Sequence, residues 1–233
     1  MPYRQELKYL INEADVTLTR LRLSSFMKKD EHINADGNYT VRSLYFDDYY
    51  NSAYNDKYMG ALDRQKYRIR LYNFSDNFIQ LERKTKWNNY IDKQTSQISR
   101  QDVLEIVDNR FNSLLRYPGD LQKVFYYECQ ANVMRPRVLV DYEREPFVFD
   151  HGNVRVTFDM NVRAVVGGMN IFDREAPTIP LLERGQAIME VKYTEFLPNL
   201  IRNILPPQAT SFIAVSKYIL GCDATIYNRF SNS

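Results

Sequence analysis

The chain has 233 residues, 31 Lys and Arg against 29 Asp and Glu for a net charge of +2, and 44% hydrophobic residues. That length suits one closed β domain with a sizeable core. Near-neutrality excludes a general nucleic-acid binder, which is strongly basic, and no run of about 18 apolar residues is present to cross a membrane as a helix.

Abundant Tyr (18) and Phe (13) beside few Gly (8) favour pleated, half-buried strands. The polar start, Met1 to Glu6, does not read as a signal peptide. Residues 3–11 read as a strand, followed by a helix over 15–29 with Leu18, Leu21 and Met27 among its apolar positions. Strands follow at 40–47, 64–73 and 78–86. Ser99 is a plausible N-cap for a helix over 101–109, and a further helical stretch covers 121–134. Strands are expected at 137–142, 155–159 and 187–193, with an eighth short one at 147–150. Residues 167–185 carry turn signals and read as a loop. Near the end, a helix over 198–205 is stopped by Pro206 and Pro207, and one over 211–220 by Gly221 as a C-cap.

No repeat, low-complexity tract or Gly/Ser-rich linker interrupts the chain, so residues 1–233 are expected to form one domain. Cys129 and Cys222 lack metal-type spacing and are expected to be reduced thiols in a cytoplasmic protein. His32 and His151 are solitary, which gives little support to imidazole-based metal or nucleophilic chemistry. Trp87 reads as a loop aromatic packed on the domain, and Gly167-Gly168 as a turn, with no P-loop pattern nearby.

Alternate residues of a strand share a face. Sorted so, Arg4, Glu6 and Lys8 oppose Leu7, Tyr9 and Ile11; Arg64, Lys66, Arg68 and Arg70 oppose Tyr67, Ile69 and Leu71. Gln80, Glu82, Lys84 and Lys86 oppose Ile79 and Leu81. Arg155, Thr157 and Asp159 oppose Val154, Val156 and Phe158, and Glu190 and Lys192 oppose Met189 and Val191. These charged faces hold far more Arg and Lys than acid. One reading is that they are the solvent faces of a sandwich. However, gathered cations repel one another, the more so as water is excluded, and a solvated face usually mixes both signs. A polyanion is the natural counter-charge, since Arg presents paired donors that suit phosphate oxygens. The expected fold is therefore α+β, an antiparallel closed β-barrel with a polar lumen and helices packed outside, in which Arg68, Arg70 and Arg155 converge on one enclosed cavity. Glu190 and Glu6 each lie two residues from a lysine. Either could bind Mg²⁺ or Mn²⁺ together with substrate phosphates, or pair with its neighbouring cations.

The run Ser43-Leu44-Tyr45-Phe46-Asp47-Asp48, then Ala53-Tyr54, Lys57, Gly60 and Arg64-x-Lys66-x-Arg68-x-Arg70-x-Tyr72, resembles the VTC domain, the polyphosphate polymerase module related to the triphosphate tunnel metalloenzymes (the CYTH superfamily). Arg4-x-Glu6-x-Lys8-Tyr9, Leu81-Glu82-x-Lys84-x-Lys86, Tyr142-x-Arg144, Val154-Arg155-x-Thr157-x-Asp159, Met189-Glu190-x-Lys192 and Ser216-Lys217-Tyr218 extend the likeness from Arg4 to about Tyr218. The resemblance implies an eight-stranded antiparallel tunnel. It implies phosphate contacts from Lys8, Arg68, Arg70, Lys84, Arg144, Arg155, Lys192 and Lys217, with Arg42 and Lys93 as weaker candidates, and a metal on Glu190. Lys66 and Lys86 join the substrate-binding set from the strand pattern. Arg144 shares parity with Val138 and Val140, a conflict that a bulge near Tyr142 would resolve, although the sequence shows none.

Hydrolytic tunnel enzymes begin with Glu-x-Glu-x-Lys, and Arg4 replaces the first acid here, which leans toward polymerisation. The expected activity is metal-dependent phosphoryl transfer from ATP or another nucleoside triphosphate to inorganic polyphosphate. In it Arg68, Arg70, Arg144 and Arg155 clamp phosphate oxygens, Lys84 and Lys192 neutralise developing charge, and Glu190, with Glu6, holds Mn²⁺ or Mg²⁺. The alternatives are a triphosphatase and a non-catalytic polyphosphate-binding subunit. Nucleic acid is not an expected partner; a membrane-protein partner would have to supply any coupling to a membrane.

Overall fold

A computed structural model describes residues 4–30, 33–34, 36–88, 90–205 and 216–231, excluding the side chains of Arg4 and of residues 226–231. In chain order the elements are β1 (Arg4–Asn12), α1 (Glu13–Ser24), β2 (Lys28–Lys29), β3 (Tyr39–Asp47), α2 (Ser52–Tyr58), β4 (Arg64–Tyr72), β5 (Ser75–Trp87), β6 (Tyr90–Ile98), α3 (Arg100–Val107), α4 (Asp120–Ala131), β7 (Arg135–Phe149), β8 (Val154–Val165), β9 (Thr178–Pro180), β10 (Gln186–Thr194), α5 (Asn199–Arg202) and α6 (Lys217–Ser231). The class is α+β. No helix among the described residues is long and apolar enough to cross a membrane.

The chain forms two compact units, each assembled from separated stretches: residues 1–40, 142–162 and 180–216 in the first, and 41–141, 163–179 and 217–233 in the second. Because the stretches interleave, no linker marks their boundary. In the first unit the strand order is β1–β10–β8–β7, with β2 added on β7. One face of these strands buries Tyr9, Ile11, Val154, Val156, Phe158, Met189 and Val191 against Val16 and Leu23 of α1. The α1 helix starts where the Asn12 side chain accepts the Asp15 N–H at 2.8 Å, satisfying one of the first-turn donors that no helical carbonyl can reach.

In the second unit the order is β7–β3–β4–β5–β6. Leu44, Phe46, Tyr67, Ile69, Leu71, Ile79 and Leu81 pack with Val103 and Ile106 of α3 and Phe125 of α4. The β4–β5 hairpin turns through Asn73 and Phe74, both at positive φ, the twist that two-residue hairpin turns require.

The path runs from β1 to β6 with no pairing between those two end strands among the described residues. The closed barrel expected from the sequence is therefore corrected to an open antiparallel sheet. Strand β6 was absent from the sequence reading. Its residues are mostly exposed, as on an edge strand, and so carry no apolar alternation. Strand β7 absorbs both the expected 137–142 and 147–150 strands. Lys28 and Lys29 form β2 rather than the end of α1, the short helix α2 was unforeseen, and the 167–185 loop contains β9. Gly221 does not end a helix. The α6 helix runs through it, because a Cβ there would meet Val140 Cγ2 at 2.9 Å and Val138 Cγ2 at 3.1 Å, so glycine permits the close approach. Residue 3, His32, Pro206, Pro207 and residues 211–215 lie outside the described residues.

Helix α3 opens with a reciprocal capping box: Ser99 caps the Asp102 N–H while Asp102 accepts the Ser99 N–H at 3.0 Å. Asp102 also accepts from Tyr117 and pairs with Arg116 at 3.0 Å. Burial alone would raise the Asp102 carboxyl, but the hydrogen bonds from Ser99 and Tyr117 outweigh it and hold it at about 2. That stabilisation is complete above the ordinary carboxylate range and is lost as pH falls through about 2. Asp102→Asn should cost about 1–2 kcal/mol in urea unfolding at neutral pH. Between pH 4 and 2 the variant should lose less stability than the wild type.

Candidate functional site

In the first unit the register of β1, β10 and β8 sets charges side by side. Glu6 lies opposite Lys192, which lies opposite Arg155; in the next row on that face Lys8 lies opposite Glu190, which lies opposite Thr157. Lys8 Nζ is 3.1 Å from Glu6 and 3.0 Å from Glu190. Lys192 Nζ is 3.1 Å from Glu190 and 3.9 Å from Glu6. Arg144 holds Asp159 through two hydrogen bonds, at 2.6 and 2.7 Å, and reaches Glu190 at 3.4 Å. Arg155 pairs with Asp30 at 2.8 Å and donates to the Tyr39 hydroxyl at 3.0 Å. Burial works against a charged Lys8, yet Glu190 and Glu6 outweigh it and raise its pKa. For Lys192 burial wins: its pKa falls to about 8 despite the same two glutamates, helped down by Arg144 and Lys8.

The alternation needs no bulge near Tyr142 to place Arg144. Leu139 and Phe147, of one parity along β7, each lie in an apolar cluster, while Arg144, of the other parity, meets Asp159 and Glu190.

In the second unit the rows are more one-sided. Arg64 faces Lys86; Lys66 faces Lys84, which faces Lys93; Arg68 faces Glu82; Arg70 faces Gln80. Across these rows Glu82 is the one acid on the face. It is 2% exposed and receives Arg68 Nε at 2.7 Å, Lys93 at 3.1 Å and, at 3.9 Å, Arg70. Burial would raise its carboxyl, but Arg68, Arg70 and Lys93 prevail and hold it well below the usual range. Arg70 Nε donates to Ser43 Oγ at 3.2 Å. Lys217, buried at the start of α6, acts with Arg68 and Arg70 on the Tyr45 phenol, and Lys66 lies 5.1 Å over the Tyr218 ring. Such a face can hold a multivalent oxyanion, which supplies the counter-charge the protein lacks.

Of the residues expected from sequence, Lys66, Arg68, Arg70, Lys84, Lys86, Lys93 and Lys217 belong to this cluster. Lys8, Arg144, Arg155, Lys192, Glu6 and Glu190 belong to that of the first unit. Arg42 joins neither. It shares parity with Leu44 and Phe46, is 1% exposed, and is held by Asp141 at 2.7 and 2.6 Å, by the Ile171 carbonyl at 3.3 Å and by the Phe74 ring at 4.6 Å. Strand alternation places Glu82 and Asp159 on charged faces without indicating a role for either. Tyr45 belongs to the site as well, since Ser43, Tyr45 and Asp47 alternate along β3 and lie on the face of Arg68 and Arg70.

A divalent metal on the first unit's face is compatible with the residues present. Among the described residues no group of three or more acidic, imidazole or thiol donors is poised for a metal, so an all-protein cage is absent there. Glu190 and Glu6 offer two carboxylates. The buried Thr157 hydroxyl, across from Glu190, has no hydrogen-bond partner among the described residues. A hard cation that shares its ligands with phosphates and water suits such a set.

A family model of the VTC domain matches residues 3–226, and the chain belongs to that family. A comparison with curated proteins finds no match. Solved structures give faint likenesses. A candidate adenylate cyclase from Bacillus halodurans has TM-score 0.47 and 10% identity, covering 100% of this chain and 91% of the other. One from Vibrio parahaemolyticus has TM-score 0.46 and 10% identity, covering 100% and 99%. The PH1819 protein of Pyrococcus horikoshii has TM-score 0.42 and 13% identity, covering 87% and 84%. Similarities this faint carry no argument about function.

Glu82→Gln should cost about 3 kcal/mol, because Arg68, Arg70 and Lys93 lose their shared carboxylate. Inorganic tripolyphosphate should raise the melting temperature of the variant by more than that of the wild type. Equal shifts in the two proteins would mean that the anion does not replace the lost charge.

Proposed function

We propose that this chain catalyses metal-dependent transfer of the γ-phosphoryl group of a nucleoside triphosphate to the end of an inorganic polyphosphate chain. Membership of the VTC domain family supports a phosphoryl-transfer or triphosphatase-type function. The observation that carries the reading is the second unit's face, where the rows of β4, β5 and β6 hold Arg64, Lys66, Arg68, Arg70, Lys84, Lys86 and Lys93 against the one acid Glu82. Phosphoryl transfer asks a protein for positioning and charge stabilisation more than for covalent chemistry, and no nucleophilic side chain is needed.

In the reaction, a terminal oxygen of the acceptor attacks the γ-phosphorus. The new P–O bond forms as the bond to the β,γ-bridging oxygen breaks, and the electron pair leaves with the nucleoside diphosphate. Arg68 and Arg70 clamp non-bridging oxygens, and Lys66, Lys84 and Lys93 balance the charge of the chain. In the first unit Arg144, Arg155, Lys8 and Lys192 are assigned to phosphate oxygens on the same chemistry. Glu190, with Glu6, would hold Mn²⁺ or Mg²⁺, which when bound neutralises phosphate charge. Arg144 fixes the Glu190 side through its two-pronged hold on Asp159.

Purified protein incubated with ATP and Mn²⁺ should give acid-stable polymer in phosphorus NMR. Free phosphate without polymer would indicate hydrolysis, and tight, salt-sensitive polyphosphate binding without turnover would indicate a binding subunit. Arg70→Ala and Glu190→Ala should each lower polymer formation about 100-fold or more. Turnover like that of the wild type in either variant would remove that residue from the mechanism.

A further inference from the structure

Two tyrosines lie together on the cationic face of the second unit, and their surroundings make them different groups. The rings of Tyr45 and Tyr218 are 5.4 Å apart. The Tyr218 hydroxyl donates to Asp47, whose carboxylate also accepts the N–H groups of Ala53 and Tyr54, at 2.9 and 3.0 Å. Tyr218 is thus committed to holding α6 and the start of α2. Burial, Cys222 and Asp47 all push its phenol up, far from ionisation.

Tyr45 faces the opposite charge. On β3 it lies directly across from Arg68, as Ser43 lies across from Arg70. Arg68 and Arg70 from β4 and Lys217 from α6 act on its oxygen, and Arg68 also hydrogen-bonds to it. Beyond them, Glu82 is bound to Arg68, Asp47 is bound to Tyr218, and Lys66 lies over the Tyr218 ring. Burial would raise the Tyr45 phenol, but the three cations outweigh it and lower its pKa. At 6% exposure Tyr45 is no more hidden than Arg70, also at 6%.

From this placement we infer that Tyr45 is a further substrate-binding residue, whose hydroxyl donates a hydrogen bond to an oxygen of the phosphate chain held by Arg68, Arg70 and Lys217. The inference rests on the phosphate-binding reading of that face. Arg and Lys are donors only and offer no group that can change its role. A phenol can: it accepts from Arg68 in the free protein, and keeps a proton to donate when phosphate oxygens arrive. Added negative charge beside it favours the protonated form, so ligand and proton reinforce each other. An ionised phenol would instead repel the phosphate.

The test is calorimetric binding of inorganic tripolyphosphate to wild type and Tyr45→Phe across neutral to alkaline pH. Loss of a hydrogen bond to a charged group should weaken binding about 10- to 100-fold in the variant. The wild type should lose affinity at lower pH than the variant, whose decline then follows its lysines. A merely structural role for Tyr45 would not move that alkaline limb. Ultraviolet phenolate titration of the wild type provides a check that needs no variant: tripolyphosphate should push the earliest tyrosine ionisation to higher pH. Equal affinities and coincident limbs, or a phenolate titration unmoved by a ligand that demonstrably binds, would overturn the assignment while leaving the phosphate-binding reading intact. Failure of the wild type to bind tripolyphosphate would overturn both.

Discussion

Repulsion among cations gathered on one face of a sheet is the constraint around which the second unit is built. The register sets Lys66, Lys84 and Lys93 in one row and Arg64 beside Lys86 in the next, and like charges directly opposite one another destabilise a sheet. What makes this tolerable is the reverse side of the same strands. Tyr67, Ile69, Leu71, Ile79 and Leu81 are buried there almost completely, and each such side chain contributes about 1.5–3 kcal/mol. Alternation along a strand ties the two effects together. No residue can be moved from the cationic face without shifting the core, and a slip of one residue would bury the arginines.

The first unit meets the same problem differently. Its rows alternate in sign, Glu6–Lys192–Arg155 and then Lys8–Glu190–Thr157, so its charges are largely paired within the protein. Two lysines shared by two glutamates leave each carboxylate engaged, and the opposite pKa shifts of Lys8 and Lys192 show how closely the attractions and burial are balanced. Glu190 and Glu6, the residues that would hold a divalent cation, are thus already paired with cations of the protein. That is the physical content of assigning the carboxylate role to this unit and chain-holding to the other.

Much of this was legible in the sequence because period-2 alternation is strict in β1, β4, β5, β8 and β10, and it sorted Arg68, Arg70, Lys84, Lys192 and Glu190 onto charged faces correctly. Strand β6 escaped because an exposed edge strand such as Tyr90–Ile98 has no buried face to leave a pattern. Its loss hid the partners of Lys93, which the resemblance alone had suggested. Closure could not be read at all: hydrophobic periodicity says which way a side chain points, not which strand is the neighbour of the last one. Gly221 misled because glycine serves both to end helices and to permit close packing. Only the nearness of Val138 and Val140 tells the two apart.

Arg42 shows why residue type is a weaker guide than face. Like Arg70 it is a buried arginine, and the two strands that carry them are hydrogen-bonded neighbours. Arg42 points into the apolar side, where Asp141 meets its guanidinium edge to edge and the Ile171 and Asp173 carbonyls accept from Nη1. Its charge is cancelled and most of its donors are taken. Arg70 has Ser43 at 3.2 Å and a glutamate at 3.9 Å that it shares with Arg68 and Lys93. Arg70, sharing a single distant carboxylate with two other cations on the charged face, retains attraction for a further anion; Arg42, paired with Asp141 on the apolar side, does not. Parity within the strand, one residue either way, therefore separates an arginine that holds the fold together from one equipped to hold a ligand.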